Sequence, residues 1–377
     1  MSPLRLKSDR SRVRGFLKLP IGIIILLSCI AGIGVMALYS AGGGSFSPWA
    51  GRHLLRFLLC MGILIALSYI HIRHWYKLAY PLYITTVLML VYVDLAGYVG
   101  MGAQRWINLG FMSIQPSELM KITTILALAR YFHGMRADQL RQIKFIIPPL
   151  VMLSIPIALV ALQPDLGTAM MIIFVSACLF FLGGVALWMF GIALASVLVM
   201  LPIFWTLLHD YQRARVLTFL NPDADPLGAG YHITQSKIAL GSGGVMGKGY
   251  LEGSQSHLDF LPEKHTDFIF TLWAEEWGLL GSMALIALYG LVIAYGFWMS
   301  QKVSSRFSKL VILGIVINFG FYALINIAMV MGLIPVVGVP LVLISYGGTA
   351  MMSVMVSFGI LASAWRCRDT KMPRAIV

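Results

Sequence analysis

Residues 261–270, LPEKHTDFIF, place four titratable side chains directly before a long apolar run; they are Glu263, Lys264, His265 and Asp267. A carboxylate such as that of Asp267 can accept a proton in general acid–base chemistry, or it can stabilise the start of a helix. The residue types alone fit the second role well. The chemistry open to this carboxylate therefore depends on where the apolar run lies.

Other charged residues lie inside or beside apolar segments, where an unpaired charge is costly. Glu118 and Lys121 in QPSELMKITT are three residues apart, so a helix places them on one face within pairing distance. They form either a salt bridge that joins helices or a pair that lines a polar cavity open to the outside. Asp165 in QPDLGT is a favoured N-cap for the segment after it. Arg56 and Asp94, single charges near span ends, fit side chains that snorkel to lipid headgroups.

A further polar pattern follows the opening stretch. Asp267, Thr271 and Glu275 recur every fourth residue, which on a helix forms a stripe along one face. Such a stripe indicates a wet groove, and packing between helices explains it about as well.

The composition indicates a polytopic membrane protein. The 377 residues are 59% hydrophobic and 11% charged, with a mean hydropathy of +0.84, whereas a soluble domain has about a quarter charged residues. The net charge of +13 can suggest nucleic acid, but its distribution follows membrane topology, so no nucleic acid partner is expected. The four cysteines lack C-x-x-C spacing, and we expect free thiols and no metal site.

Ten hydrophobic segments predict an all-α polytopic fold of about ten transmembrane helices. Their limits are 18–41, 53–71, 76–98, 115–133, 145–162, 165–184, 186–208, 267–298, 308–332 and 340–365. Of the 28 Lys and Arg residues, nineteen lie on the N-terminal side of these segments, seven on the opposite side and two within them. The positive-inside rule therefore places both termini in the cytoplasm. The predicted organisation is a basic tail, 1–17, one transmembrane domain, 18–365, and a second basic tail, 366–377.

The loop 209–266, between the seventh and eighth segments, is the one long connection and faces outward. Its apolar content predicts an ordered cap on the membrane surface. The presence of basic residues on the outward side requires an explanation, because the positive-inside rule disfavours Lys and Arg there. Anionic ligands such as phosphates are one reason, and contact with lipid headgroups is another. These residues are Arg105, Arg213, Arg215, Lys237 and Lys248.

The stretch GSGGVMGKGY superficially resembles a phosphate-binding loop. It fails that pattern, because Lys248 is followed by Gly and no strand precedes the glycines. The stretch also lies outside the cell, away from nucleotide, so an ATPase is excluded. No metal-ligand spacing, nucleophile elbow or Ser–His–Asp order is present in the sequence either.

Several stretches taken together resemble the SEDS family, and more its RodA branch than its FtsW branch. They are GAQRWINLG…QPSELMK, QPDLGT, the block from NPDADPLGAGYH to LWAEEWGLLGS, and NIAMVMGLIPVVGVPLVLISYGGTA. The last has the family spacing from Asn326 through Gly338 to the Ser345–Gly348 run. The likeness covers essentially the whole chain apart from the basic N-terminal tail.

This resemblance implies a peptidoglycan glycosyltransferase of the bacterial inner membrane that polymerises lipid II on the outer leaflet during cell elongation. The family's catalytic aspartate corresponds to Asp267, and its intramembrane Glu–Lys pair to Glu118 and Lys121. The implied partners are lipid II and the growing glycan strand, a class B penicillin-binding protein that cross-links the product, and other membrane proteins of the elongation complex.

The implied reaction needs a base for the attacking hydroxyl and cations for the departing pyrophosphate. With Thr266 as N-cap, Asp267 would lie in the first helical turn, where the helix dipole favours its carboxylate form. The candidates for holding the pyrophosphate are Arg105, Arg213, Lys248 and Lys121, unranked. A divalent cation, Mg²⁺ or Mn²⁺, can share that work, although the sequence shows no ligand set. Glu263, Lys264 and His265 are assigned only as loop supports.

Two other classes of function fit parts of the sequence. A lipid II flippase or other transporter fits ten spans with buried charges, but no clear inverted repeat is present and the polar residues cluster toward the outer face. A scaffold that only recruits a cross-linking enzyme would leave Asp267 dispensable.

Overall fold

The computed structural model describes residues 19–100, 103–108, 113–136, 138–207, 210–221, 229–257 and 264–372. The predicted N-terminal tail, 1–17, and Glu263 lie outside these ranges. The helices are α1 (Ile21–Ala41), α2 (Ala50–Ser68), α3 (Ile72–Ala96), α4 (Pro116–Gly134), α5 (Ile147–Leu162), α6 (Leu166–Leu182), α7 (Leu187–Leu207), α8 (Asp210–Leu220), α9 (Ala229–Ser242), α10 (Ser254–His257), α11 (Ile269–Gln301), α12 (Arg306–Val330) and α13 (Gly348–Arg366). Each of the ten predicted hydrophobic segments overlaps one of these helices, and the predicted all-α membrane fold is confirmed.

Six of the described helices are long and apolar enough to cross a membrane: α1, α2, α3, α11, α12 and α13. Helices α5 and α6 and the first part of α7 are apolar but shorter. Large aliphatic side chains project outward from the bundle on α2, α3 and α7, where Leu58, Leu88 and Val199 are each more than half exposed. Such surfaces belong in lipid, because a water-facing protein rarely exposes continuous apolar patches.

Helices α12 and α13 form the centre of the bundle. In the most apolar 18-residue stretch of each helix, 72% of the residues of α12 and 78% of those of α13 are buried, against 28–39% in the other four long helices. Helix α12 packs along α11, α4 and α6, and α13 packs along α2. Helix α3 packs along α4, and α1 packs along α11. The polar side chains carried by α4, α12 and α13 are therefore held inside the bundle.

A small antiparallel sheet joins α3 to α4, where the sequence predicted only a short loop. It consists of β1 (Tyr98–Gly100), β2 (Ala103–Asn108) and β3 (Ser113–Ile114), in the order β1-β2-β3. Strand β2 pairs with both neighbours and packs against α3 and α4. Strands this short depend on such packing, which periodicity along the sequence does not reveal.

Helix α11 is broken at Gly278, whose φ of 64° and ψ of −159° are not helical. The glycine-rich loop, residues 243–249, fills the break. The N–H groups of the two residues after Gly278 donate to loop carbonyls at 2.9 and 3.2 Å, and loop N–H groups donate to the carbonyls of Glu275 and Glu276 at 3.0 and 3.1 Å. The loop therefore satisfies backbone groups that the break leaves without helical partners.

Close backbone contact explains the glycines of this loop. A Cβ atom at Gly243 would lie 2.3 Å from the carbonyl oxygen of Ala274, and one at Gly247 would lie 2.0 Å from that of Glu276. Neither distance is compatible with a side chain. GSGGVMGKGY is thus a stretch that docks on a broken helix, and its likeness to a phosphate loop is coincidental.

The last predicted segment, 340–365, is helical only from Gly348 onward, so its first part was assigned wrongly. Residues 335–347 form a non-helical loop, the 335–347 loop, in which Gly338 and Leu343 have φ values of 71° and 70°. The carbonyl of Leu343 lies 3.0 Å from Nε2 of His53 on α2. Buried apolar residues hide this loop from hydropathy analysis, because a buried loop and a buried helix have similar composition.

Candidate active site

Asp267 is partly exposed and lies in a turn, residues 264–268, that leads into α11. The N-cap of α11 is Phe268, and its carbonyl accepts two N–H groups of the first turn at 3.0 and 3.3 Å. The expectation that Thr266 caps the helix is therefore wrong, and Asp267 precedes the first helical residue by two positions. It still lies beside the positive end of the helix dipole, which favours a carboxylate.

The backbone of Asp267 is fixed from below by Asn326, a fully buried residue of α12. The Asn326 amide nitrogen donates to the carbonyl of Asp267 at 2.9 Å and to the carbonyl of Val339 at 2.8 Å. One side chain thus ties the turn to the 335–347 loop. Across this junction, a Cβ atom at Gly338 would lie 3.7 Å from Oδ2 of Asp267, so the glycine leaves the carboxylate uncrowded.

His265 supports the same turn from the other side. Its carbonyl accepts the N–H of Tyr346 at 2.9 Å, and its imidazole stacks on Trp49 with the ring centroids 4.6 Å apart. The turn is therefore attached to the 335–347 loop at two points, one on each side of Thr266. This arrangement agrees with the assignment of His265 as a loop support.

Asp165 is the N-cap of α6, as predicted, and accepts the N–H of Thr168 at 3.2 Å through Oδ1. Its Oδ2 accepts from the side-chain amide of Gln115 at 3.0 Å. The next glycine, Gly167, packs directly on the 335–347 loop, because a Cβ atom there would lie 2.9 Å from the carbonyl of Val337. The QPDLGT turn thus supports the loop that borders Asp267.

Glu118 and Lys121 are paired, with Nζ of Lys121 2.6 Å from Oε1 of Glu118, and both are almost completely buried. Tyr322 of α12 contacts both: its hydroxyl donates to Oε2 of Glu118 and lies against the ammonium group. Ser353 of α13 also donates to Oε2 of Glu118, at 2.7 Å. These four side chains, which we call the buried tetrad, join α4, α12 and α13. The predicted pair exists, and it binds helices together.

A small recess borders the buried tetrad at the predicted outer ends of α4 and α13. It is lined by Ile114, Gln115, Glu118, Leu119, Thr349, Met352 and Ser353. Its volume of about 10 Å³ has room for about one water molecule. The carboxylate of Glu118 therefore borders a cavity as well as an ion pair.

Arg105, a candidate for holding pyrophosphate, is engaged with the protein backbone. Its Nε donates to the carbonyl of Gln163 at 2.8 Å, and its Nη2 donates to the carbonyl of Pro164. Arg105 therefore fastens strand β2 to the QPDLGT turn.

Lys248 is also engaged. Its ammonium group lies 2.7 Å from Oε1 of Glu275, a carboxylate with no exposed surface, and donates to Ser254 at 2.7 Å. The backbone N–H of Gln255 donates to the same carboxylate oxygen at 2.9 Å. Lys248 thus neutralises a buried charge where the glycine-rich loop meets α11.

The polar stripe of Asp267, Thr271 and Glu275 does not line an open groove. Thr271 is fully buried, and its hydroxyl lies 2.8 Å from that of Ser236 on α9. Glu275 is fully buried against Lys248. Packing of α9 and the glycine-rich loop therefore explains the lower part of the stripe, and Asp267 alone of the three is partly exposed.

Arg213 and Arg215 lie on α8 at the start of the long connection. Arg213 donates to the carbonyls of Trp205 and Thr206 at 3.1 and 2.7 Å and so caps the C-terminal end of α7. Arg215 donates to the carbonyl of Val336 at 3.1 Å. The second contact reaches the 335–347 loop and brings Arg215 to the candidate site, whereas Arg213 supports the helix end.

Sequence reasoning did not assign Tyr322, Ser353, Tyr346 or Asn326 to the site. Tyr322 and Ser353 are ordinary residues of apolar segments, and nothing in their spacing marks them, whereas Tyr346 lies in the Ser345–Gly348 run of the family spacing. Asn326 carried a signal, since an amide inside a predicted span has to find partners. In the part of the chain that the structure describes, no three His, Cys, Asp or Glu side chains cluster to hold a metal ion.

Residues 17–369 match the family model described as cell cycle protein, which covers FtsW, RodA and SpoVE. The chain belongs to this family, the SEDS family that its motifs indicated. It is accordingly a multi-pass protein of the inner membrane, as its long apolar helices also indicate.

Two relatives align over nearly their full length. The peptidoglycan glycosyltransferase MrdB of Escherichia coli (strain K12) is 41% identical over 353 residues, which cover 91% of this chain and 92% of MrdB. The peptidoglycan glycosyltransferase RodA of Treponema pallidum (strain Nichols) is 30% identical over 428 residues, which cover 93% of this chain and 98% of that protein.

The fold is similar to two solved structures. One belongs to a peptidoglycan synthase complex that coordinates polymerization and crosslinking, with a TM-score of 0.81, 30% identity and coverage of 93% of this chain and 98% of that one. The other is the rod shape determining protein RodA of Thermus thermophilus, with a TM-score of 0.69, 27% identity and coverage of 93% and 97%.

Proposed function

We propose that this chain polymerises lipid II into glycan strands at the outer face of the membrane, with Asp267 as general base. The chain is a peptidoglycan glycosyltransferase, as its relatives are. One observation carries the assignment to Asp267: its backbone is held by Asn326, whereas its side chain is partly exposed next to a glycine. A fixed backbone with an accessible carboxylate suits a residue that must meet a substrate.

In the proposed reaction, the 4-hydroxyl of the GlcNAc of one lipid II attacks C1 of the MurNAc at the lipid-linked end of the growing strand. The new O4–C1 bond forms as the bond from C1 to the pyrophosphate oxygen breaks. Undecaprenyl pyrophosphate leaves with the electron pair, and the hydroxyl proton passes to Asp267. A β-linkage made from an α-linked pyrophosphate requires inversion, so a single displacement suffices.

The position of Asp267 fits this role. The turn lies at the predicted outer end of α11, at the level of lipid headgroups, where lipid-linked sugars have to lie. The helix dipole beside it favours the ionised carboxylate, which is the form that accepts a proton. The buried tetrad and the Asp165 turn then serve as rigid support below the reaction site.

We propose that any divalent cation in the reaction is bound by the pyrophosphate of the substrate. Pyrophosphate oxygens are good ligands for Mg²⁺ or Mn²⁺, and no set of protein ligands occurs in the described residues. A cation brought in on the pyrophosphate would supply charge to the leaving group. Chelation is then expected to weaken turnover of the substrate and leave the thermal stability of the protein unchanged.

The partner that we propose is a class B penicillin-binding protein with transpeptidase activity. The similar chain in a peptidoglycan synthase complex that coordinates polymerization and crosslinking supports this choice. Such a partner would cross-link strands as the enzyme extends them. With RodA as a structural relative, we place this pair in cell elongation and rod-shape maintenance.

The deciding experiment is polymerisation of purified lipid II by the wild type, Asp267→Asn and Glu252→Gln. Glu252 is an exposed acid of the long connection, so its variant controls for loss of one negative charge outside the membrane. Loss of the base should slow polymerisation by at least about a hundredfold, and Glu252→Gln should behave as wild type. Thermal unfolding and gel filtration must show that both variants fold.

Two outcomes would contradict the proposal. Wild-type turnover by folded Asp267→Asn would remove Asp267 as the base. A wild-type protein that binds its transpeptidase partner but forms no glycan, alone or in complex, would favour the scaffold alternative.

A further inference from the structure

Arg56 is a charged residue inside the membrane-spanning helix α2. It lies six residues after Ala50, the first residue of the helix, or about 9 Å along the helix axis. A guanidinium at this depth is costly unless it is paired or has a functional ligand. Within the described residues, none of the ion pairs involves Arg56.

An aromatic ring holds the Arg56 side chain in place. The guanidinium lies over Tyr346 with its central carbon 4.7 Å from the ring centroid. It also lies against Gly348, the first residue of α13, where a Cβ atom would be 3.2 Å from Nη1. A stacked guanidinium keeps its N–H groups in the plane of the fork, so they can still bind an anion.

Tyr346 connects Arg56 to the candidate active site. The N–H of Tyr346 donates to the carbonyl of His265, two residues before Asp267. Thr349, one residue after Gly348, lines the recess beside the buried tetrad. Arg56 therefore lies at the edge of the same group of residues that fixes the base.

The membrane side of Arg56 is apolar. Leu55, Leu58 and Leu59 on the adjoining face of α2 are 60%, 59% and 63% exposed, whereas His53 and Phe57 on the other side are buried. Arg56 thus stands at the boundary between lipid and protein. A lipid moving along this face of α2 would bring its headgroup to the guanidinium.

Arg56 differs from the cations that the sequence analysis named as candidates for holding the pyrophosphate. Arg105 and Arg213 each donate to two carbonyls, Lys121 is paired with Glu118, and Lys248 is paired with Glu275. Those four hold the protein together. Arg56 is fixed by a ring face instead, which leaves its hydrogen-bonding capacity for a ligand.

We propose that Arg56 binds the pyrophosphate of the polyprenyl carrier as it enters the site laterally from the bilayer. The inference rests on the proposed function for the identity of the carrier. A guanidinium matches phosphate oxygens in a bidentate geometry, and the backbone N–H groups at the start of α13 add to the positive potential there. Arg56 therefore acts as a substrate-binding residue, and Tyr346 positions it.

The test measures binding directly, so it does not require turnover. Full-length protein in a neutral detergent is titrated with undecaprenyl pyrophosphate, undecaprenyl phosphate and phosphatidylglycerol, as wild type, Arg56→Gln and Arg73→Gln. Arg73 is an exposed residue at the opposite, predicted cytoplasmic end of α3, so its variant removes the same charge elsewhere. Arg56→Gln should weaken undecaprenyl pyrophosphate binding about tenfold or more, the size of a lost charge-assisted hydrogen bond. Arg73→Gln should bind as wild type.

Three results would overturn the inference. Unchanged pyrophosphate binding by folded Arg56→Gln is the first. Equal weakening by Arg73→Gln, which points to overall charge, is the second. Loss confined to phosphatidylglycerol is the third, because it assigns Arg56 to phospholipid headgroups.

A conservative variant guards against misfolding. Should Arg56→Gln fail to fold, Arg56→Lys keeps the charge and loses the planar fork, and it should weaken pyrophosphate binding severalfold; unchanged binding by Arg56→Lys then counts against the inference. Failure of the proposed function gives a different result. If the wild type does not polymerise lipid II, but Arg56→Gln still binds undecaprenyl pyrophosphate more weakly than the wild type, the Arg56 site stands and the glycosyltransferase mechanism does not.

Discussion

Tyr322 and Asn326 lie one helical turn apart on α12, and each serves a different half of the candidate site. The Tyr322 hydroxyl binds Glu118 beside Lys121 in the buried tetrad, whereas the Asn326 amide holds the backbone of Asp267. Residues four apart on a helix share one face. A single face of α12 thus connects the buried ion pair to the base, and displacement of either residue should be felt at Asp267.

Asn326→Ala should reduce kcat for lipid II polymerisation by about tenfold with little change in KM. The variant loses two hydrogen bonds, to the carbonyls of Asp267 and Val339, each worth about 0.5–1.5 kcal/mol. Without these hydrogen bonds the Asp267 carboxylate is less well positioned. Its position affects the energy of the transition state more than the affinity for the substrate, so kcat changes more than KM. Steady-state kinetics of the purified variant give the two constants.

The control for this variant is Asn318→Ala, two turns away on α12 and equally buried. It carries the same substitution without a contact to the Asp267 turn, so kcat should stay near the wild-type value. A folded Asn326→Ala enzyme with wild-type kcat would show that the turn keeps its position without this amide.

Lys121→Ala should unfold at a lower temperature and lose polymerisation. It leaves the Glu118 carboxylate buried without its ammonium partner, which costs about 3–5 kcal/mol in comparable buried pairs. Thermal unfolding in detergent, followed beside the polymerisation assay, measures both effects.

The double variant Glu118→Gln with Lys121→Met separates stability from chemistry. With both charges removed, stability should recover toward the wild-type value. If the recovered protein still fails to polymerise lipid II, the pair has a role in the reaction; full activity would leave it a purely structural bridge between helices.

Hydropathy and charge predicted much of the fold, because membrane helices are long, apolar and oriented by basic residues. The prediction from hydropathy and charge was wrong where the backbone in the membrane region is not helical. The 335–347 loop is as apolar as a span, and the break at Gly278 falls inside the segment 267–298 that was predicted as one span. Both are stabilised by contacts with distant residues, which local periodicity does not encode.

The residues of the candidate site were predicted in part for a similar reason. Charges in apolar segments stand out, so Glu118, Lys121 and Asp165 were found. Tyr322 and Ser353 complete the same network but look like ordinary residues of a span. Lys248 was found as an unranked candidate for pyrophosphate, with lipid headgroups as the alternative. Its buried partner Glu275 is 27 residues away, and only the folded chain brings the two together.

Gly243→Ala should destabilise the junction between the glycine-rich loop and α11. The new Cβ atom would lie 2.3 Å from the carbonyl of Ala274, so the loop has to withdraw from the helix break. Gly241→Ala, two residues earlier, is the matched control, because no heavy atom lies within 4 Å of its Cβ position. We expect a lower unfolding temperature and faster proteolysis of the long connection in Gly243→Ala alone. Equal behaviour of the two variants would mean that the loop does not depend on this close contact.

Lys248→Met should impair the enzyme through Glu275. The substitution removes the ammonium group that lies 2.7 Å from this fully buried carboxylate, which keeps the Gln255 N–H at 2.9 Å and the Ser254 hydroxyl at 3.4 Å among its contacts. Removing one member of a buried ion pair is strongly destabilising, by about 3–5 kcal/mol, so the unfolding temperature and polymerisation should both fall.

The second substitution Glu275→Gln decides between the two roles considered for Lys248. If Lys248 serves to neutralise Glu275, the double variant removes the stranded charge and should regain most of the stability and the activity. If Lys248 binds pyrophosphate, the double variant should regain stability but keep a raised KM for lipid II, since the cation is still missing. Because both variants remove the same ammonium group, the change in KM between them isolates the part of the loss that comes from the buried carboxylate. The 2.7 Å contact between Lys248 and Glu275 favours the first outcome.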